Sequence, residues 1–141
     1  TATAKVDIHI SKTNHSLFGI RVARELAPVG GGKLINSNGQ VGEKATLGLP
    51  ANWCGYEGQR LGIVESIVVM DHPNNPWAPN CPWFTRDYGN ISPTPFLWID
   101  EKKGWDLPAG KSIRLRYRVT VARGGIEKAA TDQLWDAFAK A

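Results

Sequence analysis

Apolar and polar residues alternate with a period of two over much of the chain, which predicts β-strands. Near the start, Val6, Ile8 and Ile10 alternate with Asp7 and His9, as expected of a strand with one face in water. Similar reasoning predicts further strands at residues 18–22, 33–36, 53–56, 63–70, 96–99 and 111–121. Residues 63–70 are almost all apolar, which is typical of a central strand covered on both faces.

Only the end of the chain has a helical pattern. Ile126, Ala130, Leu134 and Phe138 recur at every fourth position, and Trp135 widens this apolar stripe. We therefore predict one amphipathic helix at about residues 126–140 that packs on a sheet. The predicted fold class is all-β, an antiparallel β-sandwich with this C-terminal helix, in a single domain spanning residues 1–141.

The composition supports a β-rich globular domain. The chain has 141 residues, of which 42% are hydrophobic, and it contains six tryptophans and fifteen glycines, which suits strands joined by tight turns. Two cysteines, Cys54 and Cys81, allow either one disulfide or two free thiols.

Charge and hydropathy limit the classes of partner that the sequence predicts. The net charge is +4, but no dense cluster of lysine and arginine occurs, so no nucleic-acid partner is predicted. No apolar run approaches the roughly 20 residues that span a bilayer, so no membrane partner is predicted. No signal peptide is recognised at the start of the chain. The location is left open, secretion or export to the periplasm being one alternative.

The segment from Met70 to Gly89 concentrates the residues that carry chemistry. Its four prolines fix φ and remove backbone donors, which predicts a stiff loop after a buried strand: Pro73, Pro76, Pro79 and Pro82. Polar and aromatic side chains on such a loop are the usual material of a binding or catalytic site. They are Asp71, His72, Trp77, Trp83, Arg86, Asp87 and Tyr88.

Acid–base chemistry is one interpretation of these residues. Arg86 precedes Asp87 and would keep its carboxylate ionised, which suits a base or a hydroxyl acceptor, and His72 could act as a second acid or base. The structural alternative is that the aspartate caps backbone amides and that Arg86 and Asp87 form an internal ion pair. No cofactor or metal is predicted, although a mononuclear metal site would use His9 or His72 with a carboxylate.

The aromatic residues suggest a saccharide ligand. Flat rings can stack against the C–H faces of a sugar while polar neighbours bind its hydroxyls. The candidate rings are Trp53, Tyr56, Trp77, Trp83 and Tyr88. Packing in the hydrophobic core is the competing explanation for these rings.

Four segments resemble the PmoA-like family, which carries a methane-oxygenase label and is effectively of unknown function. They are GGGKLINS at 30–37, GQVGEK at 39–44, MDHPNNP at 70–76 and WFTRDYG at 83–89. The resemblance implies a galactose-mutarotase-like β-sandwich associated with carbohydrates. Members are typically about twice this length, so the chain resembles their C-terminal half, and a partner chain or second copy would supply the rest. Phe84 and Trp77 depart from the family pattern, which has a histidine and a basic residue there.

Two hypotheses follow. In the first, the loop at residues 71–88 binds or processes a saccharide. Its candidate catalytic residues are His72, Asp87 and Glu43, and its candidate substrate-binding residues are Arg86, Tyr88, Trp83, Trp77 and Trp53. In the second, the chain is a non-catalytic structural or assembly module that pairs with another chain or copy. Whether the protein is an enzyme is left open.

Overall fold

A four-stranded antiparallel sheet forms the centre of the computed structural model, which describes residues 1–141. In chain order the strands are β1 (Ala2–Thr3), β2 (Ile8–Ile10), β3 (Ile20–Arg21), β4 (Lys33–Asn36), β5 (Trp53–Arg60), β6 (Ile63–Asp71), β7 (Trp83–Arg86), β8 (Asn90–Pro93), β9 (Trp105–Leu107), β10 (Ser112–Ile113) and β11 (Tyr117–Arg123). The helices are α1 (Glu43–Thr46) and α2 (Lys128–Ala139), and two 3-10 turns lie at Arg24–Leu26 and Pro28–Gly30.

The hairpin of β5 and β6 is the middle of the four-stranded sheet, whose order is β11-β6-β5-β4. Arg60 pairs with Ile63, so the hairpin turns through two residues, Leu61 and Gly62. Both have positive φ, 51° and 78°, which is the backbone that a twisted two-residue hairpin requires. Register is therefore fixed from the turn to the pair Trp53–Met70.

A three-stranded sheet in the order β3-β8-β7 lies against one face of this central sheet. Its contact with the central sheet forms the largest hydrophobic cluster: Leu26, Leu34, Ala51, Cys54, Tyr56, Val69, Trp83 and Ile91. Trp83 is fully buried, and its indole Nε1 donates to the carbonyl of Ala51 at 2.8 Å. The hydrogen bond removes the cost of burying that polar group in the core.

Helix α2 covers the opposite face of the central sheet. Phe138 packs with Trp53, Val68 and Met70, all of them buried. The helix is also anchored through indole groups, because Trp53 Nε1 donates to Asp132 and Trp135 Nε1 donates to the carbonyl of Asp71, each at 2.8 Å.

Two further pairs of strands, β1 with β10 and β2 with β9, form a small lobe of their own. Its core contains Ala4, Leu107 and Ile113, with Trp77 and Trp105 packed against it. A groove of about 340 Å³ opens on this lobe.

The all-β prediction with a C-terminal helix is confirmed, but the sheets do not close into a complete sandwich. The strand predicted at 96–99 is wrong, because these residues form turns. The strand predicted at 111–121 is divided into β10 and β11. Strands β1, β7, β8 and β9 were not predicted. Neither helix has the combination of length and apolar composition that a membrane span requires.

The buried face of α2 also differs from the predicted stripe. Ala130 is exposed and Leu134 is 48% exposed, whereas Thr131 and Phe138 are buried and Trp135 is half-buried. The contact face is thus rotated by about one residue from the 126–130–134–138 line. Cys54 and Cys81 are both buried free thiols.

This difference predicts opposite results for two truncations in α2. Phe138→Ala should lower the free energy of unfolding by about 3–5 kcal/mol, because it leaves a cavity between helix and sheet. Leu134→Ala, the matched control, should change it by no more than about 0.5 kcal/mol. Urea unfolding followed by far-UV circular dichroism measures both, and equal losses would contradict the assigned helix face.

Candidate functional site

The predicted site residues occupy opposite faces of the central sheet. Side chains alternate along β6, and His72 continues the row of Val68 and Met70 toward α2, where its ring meets Phe138 edge-on at 4.9 Å between centroids. Arg86 lies on the other side, where the Tyr56 hydroxyl donates to its carbonyl oxygen. A single loop at residues 71–88 was expected to bring His72 and Arg86 into one pocket. The structure instead separates them by the central sheet.

Glu43 and Asp87 are brought together by a reciprocal exchange of hydrogen bonds. The backbone N–H of Glu43 donates to Oδ1 of Asp87 at 3.0 Å, and the N–H of Asp87 donates to Oε2 of Glu43 at 2.8 Å. Each carboxylate thus satisfies a backbone donor that no helix or sheet would satisfy. The contact joins the start of α1 to the turn between β7 and β8.

That turn is further fixed by two other groups. The Tyr56 hydroxyl lies 2.6 Å from the carbonyl oxygen of Arg86 and 3.0 Å from that of Asn90, so its proton is shared across the two ends of the hairpin. Gly89 has φ of 98°, and a side chain there would press on Val22 and Ala27. Burial raises the pKa of Tyr56 well above its usual value, so the hydroxyl stays protonated and remains a donor.

Arg86 and Tyr88 extend from this frame toward solvent. Nε of Arg86 lies 3.3 Å from Oε1 of Glu43, an ion pair without hydrogen-bond geometry. The Arg86 guanidinium carbon is 5.4 Å from the centre of the Tyr88 ring, and that of Arg21 is 4.8 Å from it. Tyr88 is 39% exposed. We call Arg21, Arg86, Asp87 and Tyr88 together the Tyr88 surface.

His72 belongs to a second, buried network. Its Nδ1 accepts from the N–H of Asn74 at 3.1 Å, which places the proton of the neutral ring on Nε2, an atom without a hydrogen-bond partner. Burial lowers the pKa of His72, and the guanidinium groups of Arg116 and Arg114 lower it further. His72 is therefore a neutral side chain enclosed by protein.

Asp71 and Asn75 complete this network. Nδ2 of Asn75 donates to Oδ1 of Asp71 at 2.6 Å and to the carbonyl of Arg116 at 2.8 Å, while its Oδ1 accepts from the N–H of Arg116 at 2.7 Å. Asn75 thus extends the edge of the sheet beyond the end of β6. Burial raises the pKa of the Asp71 carboxyl to about 6, against the lowering effect of its hydrogen bonds from Asn75 and the His72 backbone.

The space beside Asp71 is too small for a substrate. The crevice that Asp71 shares with Asn52, Pro73, Pro79 and Trp135 has a volume of about 10 Å³. Such a space holds about one water molecule. His9, the other histidine considered for a metal, pairs with Asp106 at 2.7 Å on the surface of the small lobe. No group of three or more histidine, cysteine, aspartate or glutamate side chains is arranged to hold a metal ion.

Most of the predicted sugar-stacking rings are packing groups. Trp53 and Trp83 are fully buried, and Trp77 lies edge-on to Phe96 at 5.3 Å and to Trp105 at 5.5 Å. Of the predicted binding residues, Arg86 and Tyr88 reach the surface together. Sequence reasoning missed Arg21, because a two-residue strand has no periodicity to reveal it.

The comparisons identify a family but no characterised relative. A family model described as a family of unknown function (DUF6807) matches residues 1–136. No curated protein and no solved structure matches the chain. The match carries no evidence for the PmoA-like relationship that the four motifs suggested.

The raised pKa of Asp71 predicts that the stability of the folded protein depends on pH. Between its ordinary value of 3.8 and about 6, the folded state binds a proton that the unfolded state has lost. Stability should therefore fall as the pH rises through this window, by up to about 3 kcal/mol. Asp71→Asn keeps the shape of the side chain and removes its charge. The stability of the variant relative to the wild type should therefore increase as the pH rises.

Urea unfolding of both proteins from pH 4 to pH 7 measures this difference. The lowered pKa of His72 decreases stability as the pH falls. Because both proteins contain His72, this contribution largely cancels when their stabilities are compared. A stability difference that does not change with pH would show that Asp71 ionises normally in the folded protein.

The exchange between Glu43 and Asp87 predicts strong non-additivity. Glu43→Ala and Asp87→Ala should each cost about 1–3 kcal/mol, because each leaves the other residue's N–H without its acceptor. The double variant should cost less than the sum by about 0.5–3 kcal/mol. A cycle of Glu101→Ala and Asp136→Ala, both exposed carboxylates, is the control and should be additive. Additive losses at Glu43 and Asp87 would rule out their coupling.

Proposed function

The chain belongs to the DUF6807 family of unknown function, and we propose that this member is a non-catalytic saccharide-binding module whose ligand occupies the Tyr88 surface. The observation that carries the proposal is the combination of a rigid frame with unused polar groups. The frame is the Glu43–Asp87 exchange, which holds the β7–β8 turn in one conformation. A site already held in its binding geometry loses less entropy when a ligand binds.

The polar groups of the Tyr88 surface match the hydroxyls of a sugar. The Nη donors of Arg86 and the Oδ2 acceptor of Asp87 are not used in the ion pair or in the exchange with Glu43. The Arg21 guanidinium and the half-exposed Tyr88 add further donors. A guanidinium beside a carboxylate can donate to one hydroxyl and accept from the next.

The charge of this region favours a neutral ligand over a phosphate. Arg21 and Arg86 contribute two positive charges, and Glu43 and Asp87 contribute two negative charges within the same cluster. A balanced cluster has little attraction for a polyanion such as nucleic acid. A neutral saccharide needs directed donors and acceptors rather than net charge.

Binding is favoured over catalysis by the way the candidate catalytic residues are used. Glu43 and Asp87 hold backbone amides, and His72 is enclosed on the opposite face of the sheet. An acid and a base that act on one substrate must both reach it. A relationship to PmoA-like and galactose-mutarotase-like proteins is part of this proposal and rests on the four sequence motifs alone.

A second candidate function is a structural or assembly module without a ligand. It is favoured by the burial of Trp53 and Trp83, which removes two of the rings that would have stacked on sugars. In this case the role of the frame would be to hold the fold in a shape that another chain or copy recognises. The two candidates differ in whether the Tyr88 surface binds a small ligand.

A glycan-array screen followed by calorimetry tests the proposed function. Arg21→Ala and Tyr88→Ala should each weaken binding of the selected glycan by about two- to tenfold, the loss expected for one or two hydrogen bonds. Trp98→Ala is the matched control, because Trp98 is an exposed aromatic residue, 43% accessible, outside the Tyr88 surface. It should leave the affinity unchanged.

Two results would contradict the proposal. Binding that is lost in Trp98→Ala and kept in Tyr88→Ala would place the ligand elsewhere. A folded protein that binds no glycan would favour the assembly module.

A further inference from the structure

The outer edge of β11 offers unpaired backbone groups along its whole length. On its inner side, the ladder with β6 continues through His72 N–H to the carbonyl of Arg116 and through Gly124 N–H to the carbonyl of Val64. Hydrogen-bonded pairs alternate in an antiparallel ladder, so the even-numbered residues of β11 bond to β6. The odd-numbered residues direct their N–H and C=O groups outward: Tyr117, Val119, Val121 and Arg123.

The other strand edges are covered or short. Residues 40–42 fold back on β4, where Gly42 N–H donates to the carbonyl of Leu34 at 2.9 Å. Segment 48–50 covers β7 in the same way, since Trp83 N–H donates to the carbonyl of Leu49 at 3.1 Å. Strand β3 has only two residues.

By contrast, β11 has seven residues in continuous register and contains no proline, bulge or lysine; its charged residues are Arg118 and Arg123. Its apolar side chains are exposed as well. Val121 is 74% exposed and Val119 is 43% exposed. Both lie on the face of the sheet that carries Tyr117 and Arg123, so they form a short apolar row directly beside the unpaired edge.

We propose that β11 pairs antiparallel with β11 of a second copy of this chain, about a two-fold axis at Thr120. Val119 then lies opposite Val121 of the partner subunit, and Tyr117 lies opposite Arg123 of the partner subunit. Because the outward-pointing residues meet one another, the seam contains about eight hydrogen bonds. The two central sheets become one sheet of twice the width.

The charges of β11 select this register. Arg118 meets the partner's Ala122, and Arg123 meets the partner's Tyr117, so no arginine lies opposite another arginine. The arginine and tyrosine can also form a cation–π contact. An axis at Val119 would pair Arg123 with residue 115, outside the strand, and an axis at Val121 would pair Tyr117 with residue 125, also outside it. The Thr120 axis is the register that uses all seven residues.

This inference does not depend on the proposed saccharide function, because it uses no residue of the Tyr88 surface. A second copy is favoured over an unrelated strand because the register about Thr120 pairs Val119 with Val121, places Arg123 beside Tyr117 and sets no arginine opposite another. A strand of a different protein would need no such symmetry.

Disulfide trapping tests the axis directly. In the proposed register Thr120 faces its own copy as a non-hydrogen-bonded pair, with Cα atoms roughly 4.5 Å apart, which a disulfide can bridge. Thr120→Cys should therefore form a covalent dimer under mild oxidation. Ala122→Cys is the matched control, since it faces Arg118 and should stay uncrosslinked. The native Cys54 and Cys81 are buried and will not compete.

Light scattering across micromolar to near-millimolar protein gives the second measurement. The wild type should be a dimer, and Val119→Lys/Val121→Lys should weaken dimerisation by at least about tenfold, because four lysines then meet at the seam. Leu61→Lys changes a residue that is 90% exposed and lies outside β11, and it should still dimerise. Circular dichroism confirms that all variants are folded.

Two outcomes would overturn the inference. One is a monomeric wild type with no crosslink in Thr120→Cys, which would mean that another strand covers this edge or that it stays open. The other is equal crosslinking of Thr120→Cys and Ala122→Cys, which would exclude the Thr120 axis.

Discussion

The strict alternation of side chains along the β5–β6 hairpin is the constraint on which the rest of the structure depends. Trp53 and Met70 form a pair on the face covered by α2, while Cys54 and Val69 form the next pair on the face covered by the β3-β8-β7 sheet. A shift of one residue would exchange the two cores. The two-residue turn at Leu61 and Gly62 prevents that shift. Because His72 follows one row and the Tyr88 surface lies beyond the other, the same alternation separates the candidate chemical groups.

Between the strands, polar side chains replace the missing backbone ladders. Asn75 bonds to both backbone groups of Arg116, and the Glu43–Asp87 exchange and the Tyr56 hydroxyl do the same for the β7–β8 turn. These residues look catalytic in the sequence because acids, amides and phenols are also what catalysis uses. In a chain with many irregular connections, however, such side chains are needed first to form hydrogen bonds with backbone groups that no helix or sheet satisfies. Asp71 accepts a hydrogen bond from Asn75 in the same network, and its burial there raises the pKa of its carboxyl to about 6.

Much of the fold could be predicted from the sequence, because long periodic or apolar runs have few alternatives. The strands at 33–36, 53–56 and 63–70 and the C-terminal helix are examples. The error at 96–99 came from a short apolar run, which looks the same in a strand and in a buried turn. Phe96 is indeed buried, but against Trp77 and Trp105 rather than in a sheet.

The candidate site was harder to predict for a different reason. The contact between Glu43 and Asp87 joins residues 44 positions apart, and no local pattern encodes that distance. Arg21 reaches Tyr88 from a strand of two residues. The motif at 83–89 did identify Arg86, Asp87 and Tyr88 as a group, although it placed them on a loop rather than at the end of a hairpin.

The separation of the Tyr88 surface from the edge of β11 has a consequence for both proposed roles. Tyr117, at one end of β11, stacks on Phe18 with ring centres 4.4 Å apart, and Phe18 packs on the core beneath β3, the strand that carries Arg21. Pairing at β11 would therefore support the layer that holds the Tyr88 surface, and it uses none of the residues of that surface. Two copies joined in this way would present two binding surfaces related by the two-fold axis. For a polymeric saccharide, simultaneous contact with both would raise the apparent affinity far above that of one surface, provided that the ligand spans the distance between them. Weak single-site binding and a stable β11 dimer are thus compatible within one molecule.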